Sequence, residues 1–128
     1  MMKKKENKLI LSPLPHTWII DLDGSIVKHN GYKNGNDELL PSVKEFFEND
    51  LPADDFVIIV TSREEKCRKS VIKFLKNNKI RFNHIIFGLP YGERILINDK
   101  KPSNLITSYA INLKRDEFDV SFEIDDTL

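Results

Sequence analysis

The sequence predicts an α/β fold, an open parallel sheet flanked by helices, and three observations predict it. Short β-branched and aromatic runs recur, the first two being Thr17–Leu22 and Phe56–Val60. Between such runs, apolar residues repeat with the period of a helix rather than a strand. Acids and hydroxyls then collect at the ends of the runs: Asp21 and Asp23 at the first, Thr61 and Ser62 at the second, Asp99 at a later one. Strands that alternate with helices and carry few polar residues are those of a parallel sheet covered by its crossovers.

Taken in order, residues 1–16 are expected to be a flexible leader, basic at its start and closed by Pro13 and Pro15. One domain is expected over residues 17–128. Thr17–Leu22 is the first strand, with Trp18 in the core at its start. Residues 28–40 are dense in Asn, Gly and Asp, and predict a lip or flap rather than a regular element. A helix is expected from Pro41 to Leu51, with Val43, Phe46 and Phe47 on one face and Ser42 and Glu45 at capping-box spacing. Phe56–Val60 is the second strand, with the composition of one covered on both faces. A helix from about Glu64 to Lys79 follows, with Cys67, Val71, Phe74 and Leu75 on its apolar face and Ser62 and Glu65 again at capping-box spacing. Strands are expected at His84–Gly88, Arg94–Ile97 and Ser108–Leu113, and an alternating edge strand near Val120–Ile124.

Composition narrows the function classes. With 128 residues the chain can enclose a core, and its 20 basic and 20 acidic residues cancel. No basic stripe argues for nucleic acid, and no stretch of spanning length or signal-peptide pattern argues for membrane or export. A lone cysteine, Cys67, excludes an internal disulfide and suits a cytoplasmic protein. His16 and His84 lack metal-ligand spacing, Lys73 and Lys76 suit a solvated helix face, and Asp125-Asp126 suits a solvated tail.

The chemistry is concentrated in Asp21-Leu22-Asp23-Gly24. Carboxylates two residues apart on a strand address one volume, and the glycine permits a sharp turn beyond them. Ligands of open α/β sheets bind beyond the carboxyl ends of the strands. Thr61 and Ser62, at an expected helix start, would favour an anion there. Carboxylates beside an anion require a cation between them, and magnesium, which accepts few protein oxygens plus a substrate phosphate, suits that role. Phosphoryl transfer follows.

Asp21-Leu22-Asp23-Gly24-Ser25-Ile26, Val60-Thr61-Ser62-Arg63 and Ile97-Asn98-Asp99 together resemble the motif series of the haloacid dehalogenase superfamily of phosphatases, over roughly residues 18–112. The resemblance implies a Rossmann-like sheet and a Mg²⁺-dependent phosphomonoesterase. Asp21 would be the nucleophile that forms an aspartyl-phosphate, and Asp23 the general acid and then base. Thr61 would hold the phosphoryl group, with Asp21, the Asp23 carbonyl and Asp99 as metal ligands. Ser25 replaces the family's usual Thr. Asn98, Ser103 and Asn104 stand where many members carry a second acid. The family's lysine has no clear counterpart: Arg94 is the first substitute, with Lys100 and Lys101 next. Ser62 and the flap residues Lys28, His29, Tyr32 and Lys33 are candidates for contact with substrate. Residues 27–40 and 81–94 are too short to hold a folded cap. A capless member is expected, its open site covered by the flap at 28–36 or by a neighbouring subunit in a homo-oligomer.

The expected substrate is a small phosphorylated metabolite, with sugar phosphates the first class. A macromolecular substrate and a non-catalytic phosphate-binding module are the alternatives. A phospho-accepting receiver domain is disfavoured, because its acceptor acid follows a middle strand.

Overall fold

The computed structural model describes residues 7–103 and 105–128, and the fold is α/β with parallel strands and two short helices. In chain order the elements are β1 (Asn7–Leu11), β2 (Thr17–Asp21), α1 (Val43–Glu45), β3 (Phe56–Val60), α2 (Arg68–Asn77), β4 (His84–Ile86) and β5 (Val120–Ile124). Where one domain after a leader is expected, the chain forms two compact units. One comprises residues 15–91 and 114–118. The other comprises the described residues among 1–14, 92–113 and 119–128. The basic start, residues 1–6, and Asn104 lie outside the described residues.

The first unit is built on a parallel sheet of order β2-β3-β4. Its register pairs Asp21 with Val60 and Val60 with Ile86, so the three strands end side by side. Val57, Ile59 and Ile85 are buried on one face, whereas Ile19, Phe56 and Ile86 are exposed on the chain's surface. The expectation that β3 is fully covered on both faces is corrected accordingly.

Helix α1 is a single turn that widens into a π-helical turn over Phe46–Asp50, closed by Leu51 N–H donating to the Phe46 carbonyl. It is anchored by Phe46, whose ring meets Trp18 at 5.3 Å and Phe118 at 5.1 Å edge to face. The helix falls where expected, but its capping box does not form. Ser42 sits in the left-handed region at φ 73°, whereas a side-chain N-cap needs extended backbone.

Ser62 likewise caps nothing. A 3-10 turn over Glu65–Cys67 precedes α2, and Ser62 lies upstream of both. Helix α2 buries Val71 and Leu75 and ends in a Schellman motif: Ile80 N–H donates to Leu75 O and Lys79 N–H to Lys76 O, with Lys79 at φ 58°.

In the second unit β1 and β5 pair in parallel, Asn7 opposite Val120 through Leu11 opposite Ile124. The edge strand expected at Val120–Ile124 is therefore present. Its partner comes from the segment expected to be a flexible leader. The strands expected at Arg94–Ile97 and Ser108–Leu113 are absent: the described residues of 92–113 form neither strand nor helix. Ile95, Leu96 and Ile97 are exposed. An apolar run becomes a strand only when it finds a ladder, and pairing is not encoded in a run's own composition. No helix among the described residues is long and apolar enough to cross a membrane.

Candidate active site

The carboxyl end of the three-stranded sheet holds most of the sequence-predicted groups of the first unit. Beyond Asp21 the ladder persists for one more bond, Leu22 N–H to Val60 O at 3.0 Å. The chain then folds into a tight turn: Ile26 and Val27 N–H donate to Leu22 O, and Gly24 N–H to Val27 O at 2.7 Å. Gly24 stands at φ 83°, which is why the Asp-x-Asp pair is followed by glycine. Asp21 closes β2, while Asp23 lies past the strand, so the turn rather than strand alternation sets its direction.

Thr61 follows β3 directly and is 1 % exposed. Its Oγ1 donates to Asp23 Oδ2 at 3.4 Å and accepts the Arg63 N–H at 3.1 Å. The first and second motifs therefore meet through side chains. Strand pairing extends past the β3 and β4 ends as loop contacts, with Thr61 N–H to Ile86 O, Leu89 N–H to Thr61 O and Gly88 N–H to Arg63 O. Ser62 Oγ turns to the Pro90 carbonyl at 3.4 Å.

Arg63 dominates this end of the sheet, although the sequence marks it only as a motif neighbour. Its side chain is 3 % exposed. Nε donates to both Asp23 oxygens, at 3.2 and 3.0 Å, and Nη2 reaches Asp23 Oδ1 at 2.6 Å. On the other side Nη2 and Nη1 bind Asp37 Oδ1 and Oδ2 at 2.7 and 3.0 Å. The guanidinium also lies 4.0 Å from the centre of the Tyr32 ring. Burial opposes its charge, but the hydrogen bonds to Asp37 and Asp23 outweigh burial, so its pKa is raised.

Asp37 and Tyr32 belong to the expected flap. This loop is pinched at its neck by Lys28 N–H to Glu38 O and by a Val27–Leu39 bridge, and it contains a 3-10 turn at Gly31–Asn34. His29 N–H donates to Asp116 Oδ1 at 2.7 Å. Tyr32, a candidate for substrate contact, stacks on Arg63 instead, while Lys28 and Lys33 are exposed. Asp37 left no signal in the sequence, since an acid among turn formers is ordinary loop composition. Arg63 left a faint one: a charged residue immediately after a buried strand end needs a partner.

Asp99, Arg94, Lys100 and Lys101 belong to the second unit and are exposed. Asn98 Nδ2 donates to Thr107 O, and Thr107 Oγ1 donates to Asp99 O at 2.6 Å, so Asn98 serves the local loop. Among the described residues no group of three or more His, Cys, Asp and Glu side chains is gathered as a metal site.

At the amino end of the same sheet Asp55, 3 % exposed, accepts three hydrogen bonds that the sequence does not announce. His16 N–H donates to Oδ1 at 3.0 Å, Trp18 Nε1 donates to Oδ2 at 2.8 Å, and His16 Nδ1 lies 2.8 Å from Oδ2. Burial pushes this carboxyl up, but the Trp18 and His16 bonds outweigh it and hold the pKa below the ordinary value. His16 and Trp18 are thus joined by an acid that was not expected.

The chain matches no protein-family model, no curated protein and no solved structure in comparisons with each.

Proposed function

We propose that this chain is a phosphomonoester hydrolase of the haloacid dehalogenase type, with a Rossmann-like sheet and no cap. Its substrate is a small phosphorylated metabolite, with sugar phosphates the first class to test. The observation that carries the reading is the Asp23–Thr61 contact at the ends of adjacent parallel strands, one of which terminates in Asp21. Acids with a buried hydroxyl at that end of a parallel sheet match what the motif order implies.

In the proposed reaction the Asp21 carboxylate attacks phosphorus and the bond to the leaving oxygen breaks, giving an aspartyl-phosphate. Asp23 protonates the leaving oxygen. Asp23 then takes a proton from water as that water attacks phosphorus, releasing phosphate and restoring Asp21. Thr61 donates its hydroxyl to the phosphoryl oxygens, with Ser62 and Lys28 on the substrate side.

The donors suit Mg²⁺ chemically, because they are carboxylate and carbonyl oxygens and this ion needs few of them beside water. The Asp21 carboxylate and the Asp23 main-chain carbonyl, both of the first unit, would hold it. Bound there, magnesium would lower the electrostatic cost of bringing a phosphate dianion to a carboxylate.

One observation favours a second reading, a phosphate-binding module without turnover: both Asp23 oxygens accept bonds from Arg63. The oxygens that would hand over the proton are engaged by a cation in this geometry. Hydrolysis of a generic aryl phosphate with and without magnesium separates the two. Magnesium-dependent turnover that vanishes in Asp21→Asn supports the enzyme. Near wild-type turnover in that variant, or beryllium fluoride trapped on another residue, excludes Asp21 as nucleophile. Phosphate binding without turnover on a broad panel supports the module.

A further inference from the structure

We infer that Arg63 is a positioning residue that makes the closure of the 28–38 loop and the orientation of Asp23 a single event. This rests on the reading of Asp23 as the carboxylate that transfers the proton. Arg63 is held at its root from both sides, by Thr61 Oγ1 on its N–H and by Gly88 N–H on its carbonyl. From that fixed root the guanidinium grips two carboxylates along adjacent edges of its planar fork, Nε and Nη2 on Asp23, Nη1 and Nη2 on Asp37. Asp23 sits in the turn after β2, and Asp37 sits in the loop. Tyr32 covers the guanidinium from the same loop. A rigid fork cannot move far from one carboxylate and keep its geometry with the other. Displacement of the loop therefore disturbs the hydrogen bonds that aim Asp23, and reorientation of Asp23 loosens the loop.

Charge makes the coupling sensitive. One guanidinium serves two carboxylates that are themselves mostly shielded, with side chains 21 % and 13 % exposed. Removing Arg63 would leave two acids facing each other, and Arg63→Met risks failing to fold for that reason. Asp37→Asn is milder, because it releases the loop and leaves the Arg63–Asp23 pair intact.

The test uses the full chain and two measurements. Amide hydrogen exchange over 28–38 is expected to accelerate in Asp37→Asn by ~10-fold, the range of ordinary site–site coupling, with β2–β4 unchanged. Asp23→Asn is expected to accelerate the same amides although Asp23 lies outside the loop. Unchanged loop exchange in Asp23→Asn overturns the coupling, whatever the activity. In the aryl phosphate assay Asp37→Asn is expected to lower kcat by ~10-fold with KM within about twofold, and Asp37→Glu to restore much of it. In an Asp23→Asn background Asp37→Asn should cost nothing further, because the loop acts through that carboxylate. Full additivity of the two kcat losses overturns the inference. A wild-type chain inactive on every phosphate tested refutes the enzymatic reading alone, and the two exchange results then decide whether Arg63 couples loop and carboxylate.

Discussion

At the amino end of the three-stranded sheet one buried carboxylate is surrounded by donors, whereas at the carboxyl end one buried guanidinium is shared between two carboxylates. Asp55 accepts from the His16 main chain and the Trp18 indole, with the His16 ring against it, and its own carbonyl accepts from Arg81 Nη1 at 3.0 Å. Asn83 completes that end by pairing with Val57 through N–H and Oδ1, as a strand neighbour would. Every group there is used in joining the segments that precede the strands. At the other end Arg63 neutralises part of the charge of Asp23 and Asp37, and Asp21 adds another acid at the end of β2. The carboxyl end instead gathers acids around one buried guanidinium beside a buried hydroxyl, and such a concentration of polar groups is the kind of local inconsistency expected where a site does chemistry.

If the two ends divide their labour in this way, substitutions should separate cleanly. On the proposed function the largest expected effect is on activity: Asp21→Asn should lower aryl phosphate turnover by about 10⁴-fold or more while leaving the denaturation midpoint nearly unmoved. The counterpart at the amino end is Asp55→Ala, which removes the acceptor for buried donors and should destabilise the chain by roughly 2–4 kcal/mol in urea titrations. Below its unfolding transition that variant should keep most of its turnover. Parallel losses of stability and turnover in both variants would break the comparison.

The same contrast predicts a pH dependence. The Asp55 carboxyl is depressed in the folded state, from an ordinary value of 3.8. Its contribution is therefore fully present above the unfolded value and is lost as pH falls through the folded one. Acid titration of stability should show a loss beginning near pH 4 and continuing below it, and Asp55→Asn should flatten that limb. Arg63 behaves oppositely in sign. Its raised pKa means its stabilising charge is complete below the unfolded value and is lost only as pH rises through the folded one, beyond ordinary working conditions. An Asp55→Asn profile identical in shape to wild type would show that the acid limb originates elsewhere.

The smallest expected effect is far from both ends. Lys79 occupies the left-handed position of the α2 Schellman motif, where glycine is at ease. Lys79→Gly should stabilise the chain by about 0.5–1 kcal/mol, the strain relieved less glycine's added chain entropy. A destabilised variant would mean that the lysine side chain contributes more than its backbone costs.

Much of the first unit was legible in the sequence. Thr17–Asp21, Phe56–Val60 and the start of the 84–88 run read as strands because β-branched and aromatic residues suit a buried ladder, and the helical period of Val71 and Leu75 survives in α2. The Asp-x-Asp-Gly turn and its neighbour Thr61 were legible too, since two acids and a glycine at the end of an apolar strand, with a hydroxyl at the end of the next, are unusual without a purpose. Both capping boxes failed, because spacing states which residues could bond and backbone geometry decides whether they do. Residues 94–97 and 108–113 failed as strands because pairing needs a neighbour whose place only the fold supplies. Asp37, Asp55 and the two-sided grip of Arg63 were decided by tertiary structure alone. Their partners lie 26 to 40 positions away along the chain, and a charged side chain in a loop looks the same in sequence whether it faces water or a buried counter-charge.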